Sequence, residues 1–486
     1  MVIRAKTAVR SKLAIGPALQ TAQAARGLLL LVCAGGLAGC AHFQPKPLSA
    51  RASIAGFESR SLEAPGLRAF LVANHAEAPT RRAPWSLKAL TLTAFYYQPA
   101  LAEAREKLLA AQAARITAGE RPNPSVSITP AYDSAVPGAI HPWIVPLSLD
   151  WPIETAGRRG DRLARARHLA AAARWDLIGT VWRVRSRLRD ALLTLYAARR
   201  SESLLTREVS TRRRVVHLLS GQLSAGNVSS YEVAEARVAL DRATLARQAA
   251  AARARQARIA LAGALGVPLG ALDGARFSFD LVNLPVALTR PEARQRALLE
   301  RADVRAALER YAASQSALQL QIARQWPDIR LGPGFAWNAQ LADDRQWALG
   351  LSLPLPVLND NQGPIAEARA RRALAAAHFL TVQTAALTRI DSSLAAYDSA
   401  RTQLVTADSL LRNLQRQVSS VDAQVRAGEL QPLDLANARL ACDAGVENRL
   451  AARVRAQRAL GRLERAMESP LTLAPATARA ALPAPH

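Results

Sequence analysis

Cysteine, lysine and aromatic side chains are all scarce in this 486-residue chain: three Cys, five Lys among 64 basic residues, and 5% Phe, Trp and Tyr. So few cysteines exclude a disulfide scaffold, and the seven His (His42, His75, His141, His168, His217, His378, His486) lack metal-ligand spacing with Cys or carboxylates. No phosphate loop, dinucleotide fingerprint or nucleophile elbow is present, so nothing points to an enzyme or to a cofactor. Beyond residue 40 there is no run of about 18 apolar residues, which excludes a spanning helix and leaves strands as the only route into a membrane. What the chain does have is apolar bulk, 50% of its residues, and a formal charge of +26. A basic coiled-coil protein that binds nucleic acid is one reading of that charge. The excess of Arg over Lys beside abundant Ala points instead to compositional bias on solvated helix faces.

Residues 1–39 hold no acid and carry Arg4, Lys6, Arg10, Lys12 and Arg26 ahead of the short apolar stretch Gly27–Gly36. That is the layout of an export signal, and it is too short for a stop-transfer helix. It ends in Leu37-Ala38-Gly39-Cys40, which resembles the lipobox of bacterial lipoproteins. The resemblance implies cleavage before Cys40, acylation of that residue, and, with Ala41 following, delivery to the outer membrane. Cys33 would leave with the signal, so Cys442 stands alone, a small side chain in an Ala-rich helix.

The chain repeats itself. Leu147-Ser148-Leu149 returns as Leu351-Ser352-Leu353, Ala164–Arg167 as Ala368–Arg371, and Ala225-Gly226 as Ala427-Gly428. Each copy reads helix, two strands, a very long helix, a tight turn and another long helix. The strands are expected near 124–133, 143–154, 327–338 and 345–357. They alternate with period two: Val126, Ile128 and Tyr132, then Trp143 to Ile153 at every second position, against Ser and Asp on the other face. Such alternation over about ten residues suits a membrane strand with one face to lipid and one to a polar lumen. Half-buried strands of a soluble sheet are the competing reading. The helices carry heptads, as in Leu177, Val181, Val184, Leu188, Ala191, Leu195 and Ala198, and again in Leu404, Ala407, Leu411, Leu414, Val418, Val421 and Val425. A helix from Arg158 to Leu219 would reach about 90 Å, more than a globular domain needs.

Four strands cannot sit alone in lipid, because their edges would leave backbone groups unpaired. Two chains would give eight strands around a filled interior; three give twelve, wide enough for a passage. The expected fold is therefore mainly α with a small β part: duplicated coiled-coil helix hairpins and two β-hairpins, whose four strands complete a trimeric barrel. The expected organisation is a signal (1–39), a lipidated irregular linker (40–84), two repeats (85–280 and 281–468) and a Pro/Ala-rich tail (469–486).

The duplicated unit, the lipobox and the Gly-centred turns resemble the TolC-like outer-membrane factor family. The junctions Ile153–Gly160 and Leu353–Ile365 are similar to those of its cobalt–zinc–cadmium resistance branch. The resemblance implies a homotrimeric, passive exit duct of a tripartite efflux pump, with a periplasmic adaptor and an inner-membrane, proton-driven transporter as partners, and no nucleic acid. Heavy-metal cations are the implied cargo; a drug-efflux or type I secretion duct is the alternative within transport. Carried over residue by residue, Gly157, Gly160, Gly363 and Pro364 shape the strand-to-helix junctions, and Gly226, Asn227, Gly428 and Glu429 form adaptor-contact tips. Glu232 and Asp434 match an acidic position near the family's constriction. Glu235 and Asn437 follow three residues on, and a ring of such acids would favour cations.

Overall fold

The computed structural model describes residues 42–76, 83–135, 142–279, 295, 300–338 and 344–469. Cys40, the signal segment and the tail from residue 470 lie outside the described residues. The chain divides into residues 1–57, in which helix α1 (Ala50–Glu58) begins, and a unit of residues 58–486. In that second unit come α2 (Pro65–Ala73), α3 (Leu87–Tyr97), α4 (Pro99–Gly119), strands β1 (Ser125–Ile128), β2 (Ala131–Tyr132) and β3 (Trp143–Ile153). They are followed by α5 (Arg158–Ser224) and α6 (Ser230–Leu265), then α7 (Ala302–Ala323), β4 (Ile329–Asn338), β5 (Asp344–Ser352), α8 (Gln362–Arg426) and α9 (Pro432–Met467). The fold is mainly α with a small antiparallel sheet, and it is built twice: α5 opens at Arg158 and α8 at Gln362, α6 at Ser230 and α9 at Pro432.

Helix α5 runs unbroken for 67 residues and α8 for 65, each about 100 Å at 1.5 Å per residue. The heptad seams explain how they are held. In α8 the positions Leu404, Ala407, Leu411, Leu414, Val418, Val421 and Val425 are all withdrawn from solvent, as are Asp408 and Asp422 beside them, while the other neighbours are exposed. Each pairs with its successor, α5 with α6 and α8 with α9, and α5 also packs on α4, α7 and α9. With so many neighbours α5 buries more than one stripe: Leu192 and Leu193 are buried outside the predicted seam. The main core gathers Val184, Leu188, Leu192 and Leu195 of α5, Leu261 and Leu265 of α6, Leu90 and Phe95 of α3, and Leu67 and Leu71 of α2. Segment 40–84, expected to be an irregular spacer, therefore contributes a helix to the core. Its Leu67 and Leu71 lie one turn apart behind Pro65 at the helix start, too short a signal to stand out in sequence.

The sheet runs in the order β1-β3-β4-β5, with β2 also on β3. The strand expected over 124–133 is broken in two at Thr129-Pro130, since proline offers no ladder donor. The strand expected to reach residue 357 stops at Ser352, ahead of Pro354 and Pro356. Pro152 does not end its strand: β3 continues to Ile153, with Pro152 opposite Arg330. β1 stops opposite Asp150, so among the described residues one edge of β3 has no neighbour there, a place where proline is tolerated.

Candidate functional site

Three features of the second unit have a shape that ordinary core packing does not demand: the two faces of the sheet, the junctions from strand to helix, and the turns between the long helices. The sheet comes first. Its register stacks Val126 against Leu149, Leu147 against Phe335, Trp151 against Leu331, then Leu331 against Leu351, Pro333 against Leu349 and Phe335 against Trp347. That face is apolar along the strands except at Arg345, opposite Trp337 near the start of β5, yet it is open to the surroundings: Trp347 is 82% exposed, Leu349 76% and Leu351 70%. Exposed apolar faces of this extent are not left to water. On the opposite face Ser148 lies against Gly334, Gly332 against Gly350, and Arg330 against Pro152 and Ser352. Small and polar side chains dominate here, and Arg330 pairs with Asp150 at 2.9 Å. Trp143, Trp337 and Trp347 sit toward strand ends, as interfacial tryptophans do.

At the first junction Ala156 and Gly157 both take left-handed backbone, with φ of 53° and 74°, and turn the chain from β3 into α5. Arg158 then locks the start of α5 to the other repeat. It pairs with Asp328 at 2.7 Å and donates to the carbonyls of Ala323 and Trp326, while Thr155 donates to the Pro327 carbonyl at 2.7 Å. Arg162 pairs with Glu154, whose carboxyl is held below its usual pKa chiefly by that hydrogen bond. The second junction uses no glycine at its bend. Asn361 takes the left-handed conformation (φ 66°), and its side-chain amide donates to the Gln321 carbonyl at 2.6 Å. Gly160 and Gly363, expected at the bends, lie in the first turns of α5 and α8 without positive φ, and Pro364 is likewise in the first turn of α8.

The helical turns are built alike. Gly226 (φ 74°) and Gly428 (φ 81°) follow the caps Ala225 and Ala427. Asn227 N–H reaches back to the Gln222 carbonyl and Glu429 N–H to that of Gln424, both at 2.9 Å. These are Schellman closures, and they require the left-handed residue that glycine supplies without strain. All four residues are exposed. The next helices start with carboxylates as caps: Glu232 accepts from Ser229 N–H at 2.7 Å, and Asp434 from Gln431 N–H at 2.9 Å. Both acids thus already have a local partner. Glu235 and Asn437 lie one turn on and are exposed. The two turns are neighbours, because Gln222 donates to Gln431 across 2.7 Å.

Sequence reasoning missed the polar centre between the repeats. Arg189 of α5 is 2% exposed, donates to the carbonyl and the side-chain oxygen of Gln457 at 2.7 and 2.8 Å, and lies 3.5 Å from Glu464. Arg185 reaches Glu464 at 3.1 Å. Gly461 makes room for this: a Cβ there would meet an Arg189 guanidinium nitrogen at 2.3 Å. A glycine inside an otherwise strong helix pattern was the available signal. Among the described residues no cluster of His, Cys, Asp and Glu could hold a metal ion.

The family model of outer membrane efflux proteins matches residues 94–267 and 293–468, the two structural repeats. No curated protein matches the chain. Solved structures with this fold include a membrane protein from Pseudomonas aeruginosa, at 19% identity, TM-score 0.66, and coverage of 78% of this chain and 90% of that one. The outer membrane protein VceC of Vibrio cholerae is similar at 17% identity and TM-score 0.65, over 79% of this chain and 96% of its own. The CmeC outer membrane channel of Campylobacter jejuni follows at 17% identity and TM-score 0.64, over 78% and 85%. With a family model covering well over half of its length on both repeats, the chain belongs to the outer membrane efflux protein family.

Proposed function

We propose that three copies of this chain close their sheets into one twelve-stranded barrel in the outer membrane, continued by the long helices as a passive efflux duct through the periplasm. The observation that carries this reading is the sheet itself: one face open and apolar except for Arg345 near the start of β5, the other mostly small and polar, and two strands, β1 and β5, at edges without a partner strand among the described residues. Only closure on further copies satisfies those edges in lipid. Four strands per chain and three chains are the smallest ring that leaves a lumen. Cys40 carries the lipid anchor. Gly226, Asn227, Gly428 and Glu429 meet a periplasmic adaptor, which couples the duct to an energised inner-membrane transporter. Asp434 and Asn437, with Glu232 and Glu235, line the narrow end beside those tips. The test is the mass of the detergent-extracted protein by light scattering, with mass spectrometry of Cys40. Three acylated chains per particle are expected; a monomer would refute the barrel, and an unmodified Cys40 the anchor. A cross-link fixing the tips should abolish export, and unimpaired export would refute their part in opening.

A further inference from the structure

The upper half of α9 is buried on nearly every side. From Ala452 to Met467 its only exposed residues are Arg455, Arg458, Arg462 and Arg465. Spaced three, four and three apart, they form one ladder that rises about 15 Å. The adjoining stretch of α5 exposes Arg183, Arg187 and Asp190 at the same helical spacing. The two stripes share one groove: Arg183, Arg462 and Arg465 line a common cavity of about 880 Å³, and Arg458 donates to Thr194 of α5 at 3.4 Å. None of these six arginines has an ion pair within 4 Å among the described residues. The cavity also has carboxylates, but Glu103, Asp176 and Asp303 are paired with Lys107, Arg310 and Arg301, and Glu468 accepts from the Ala302 N–H. Asp190 is the acid within the stripes themselves. The groove desolvates its carboxyl and raises its pKa, while Arg189, Arg458, Arg462 and Arg465 pull it back.

Compositional bias does not explain the ladder. The lower half of the same helix exposes Asp434, Asn437, Arg439, Ala441, Glu447 and Asn448, a mixed set. Only above Ala451 does the exposed stripe become purely cationic. Arginines held on the walls of a cleft, with low-dielectric protein behind them, concentrate anions.

We infer that this arginine ladder faces the water path of the duct and gives it a preference for anionic cargo, molecules carrying carboxylate, phosphate or sulfonate groups. The inference rests on the duct reading above. It also departs from a cation preference set by the tip acids, since Glu232 and Asp434 already accept hydrogen bonds from their own helix starts.

The experiment is the reversal potential of the purified full-length protein in planar bilayers under a tenfold KCl gradient. Chloride should pass about 10-fold or more ahead of potassium at low salt, the scale of counter-ion enrichment in a charged cleft. The preference should fade near 1 M salt, where the screening length is about 3 Å. The combined Arg458→Gln, Arg462→Gln and Arg465→Gln variant should shift the potential toward that of potassium, and Asp190→Asn should shift it the other way. Helix content and oligomer mass confirm that both variants fold. A cation-preferring channel, or variants with the wild-type potential, would overturn the ladder while leaving the duct intact. No conductance at all would overturn the duct and the ladder together.

Discussion

The buried centre at Arg189 allows a sharp energetic test. Replacing Glu464 by Ala removes the only carboxylate within 4 Å of Arg189 among the described residues. Arg189 is 2% exposed and Glu464 1% exposed, so water does not compensate for the loss. Burial already pushes the Arg189 pKa down, with Glu464 the chief charge opposing it. Leaving one member of such a pair buried and unpaired costs about 3–5 kcal/mol. Arg189→Met should cost less, because it removes the stranded charge, leaves Glu464 paired with Arg185, and keeps much of the stem volume. The assay is the half-life of helical signal at a fixed elevated temperature, which does not require reversible unfolding. A loss of about 3 kcal/mol that falls on the unfolding barrier shortens that half-life roughly 100-fold. If Glu464→Ala and Arg189→Met change it equally, or Glu464→Ala changes it less than about threefold, the stranded-charge reasoning fails.

Leu349→Arg places a charge on the open apolar face and should cost about 2–4 kcal/mol near the bilayer midplane. The variant should be depleted from outer-membrane fractions, while Ser148→Arg on the opposite face should accumulate normally. Gly428→Ala forces a Cβ onto a left-handed residue and should cost about 1–2 kcal/mol, read as faster amide exchange in the last turn of α8. The Glu154 carboxyl has a folded pKa below its unfolded value of about 4.3. Its contribution to stability is therefore complete above that value and disappears as pH falls through the folded pKa. Thermal scans from pH 7 to pH 3 should show this acid loss, and Glu154→Gln should flatten it.

Periodic features were the legible part of the sequence. The repeat, the period-two strands and the heptads of α8 each set a face over ten residues or more, and the structure uses those faces. Features decided by a single contact were not. Nothing local marks Arg189 as buried, since its partners Gln457 and Glu464 lie in the other repeat. The bend at Asn361 was hidden because asparagine reaches left-handed backbone without the signature of glycine. Gly160 and Gly363 misled for the converse reason: both fit an ordinary helical turn, and neither has an atom near its missing Cβ. The arginine ladder was present as a run of spacings, but its meaning depended on the rest of α9 being covered.

The two turns are homologous but unequal: one restarts from Ser229, the other from Gln431 and Pro432. Around a closed threefold assembly they must alternate, giving six seats of two kinds. A partner that tells them apart will bind with three molecules per particle. One that reads only the shared backbone closure will bind with six, so weighing the complex reveals which chemistry is recognised.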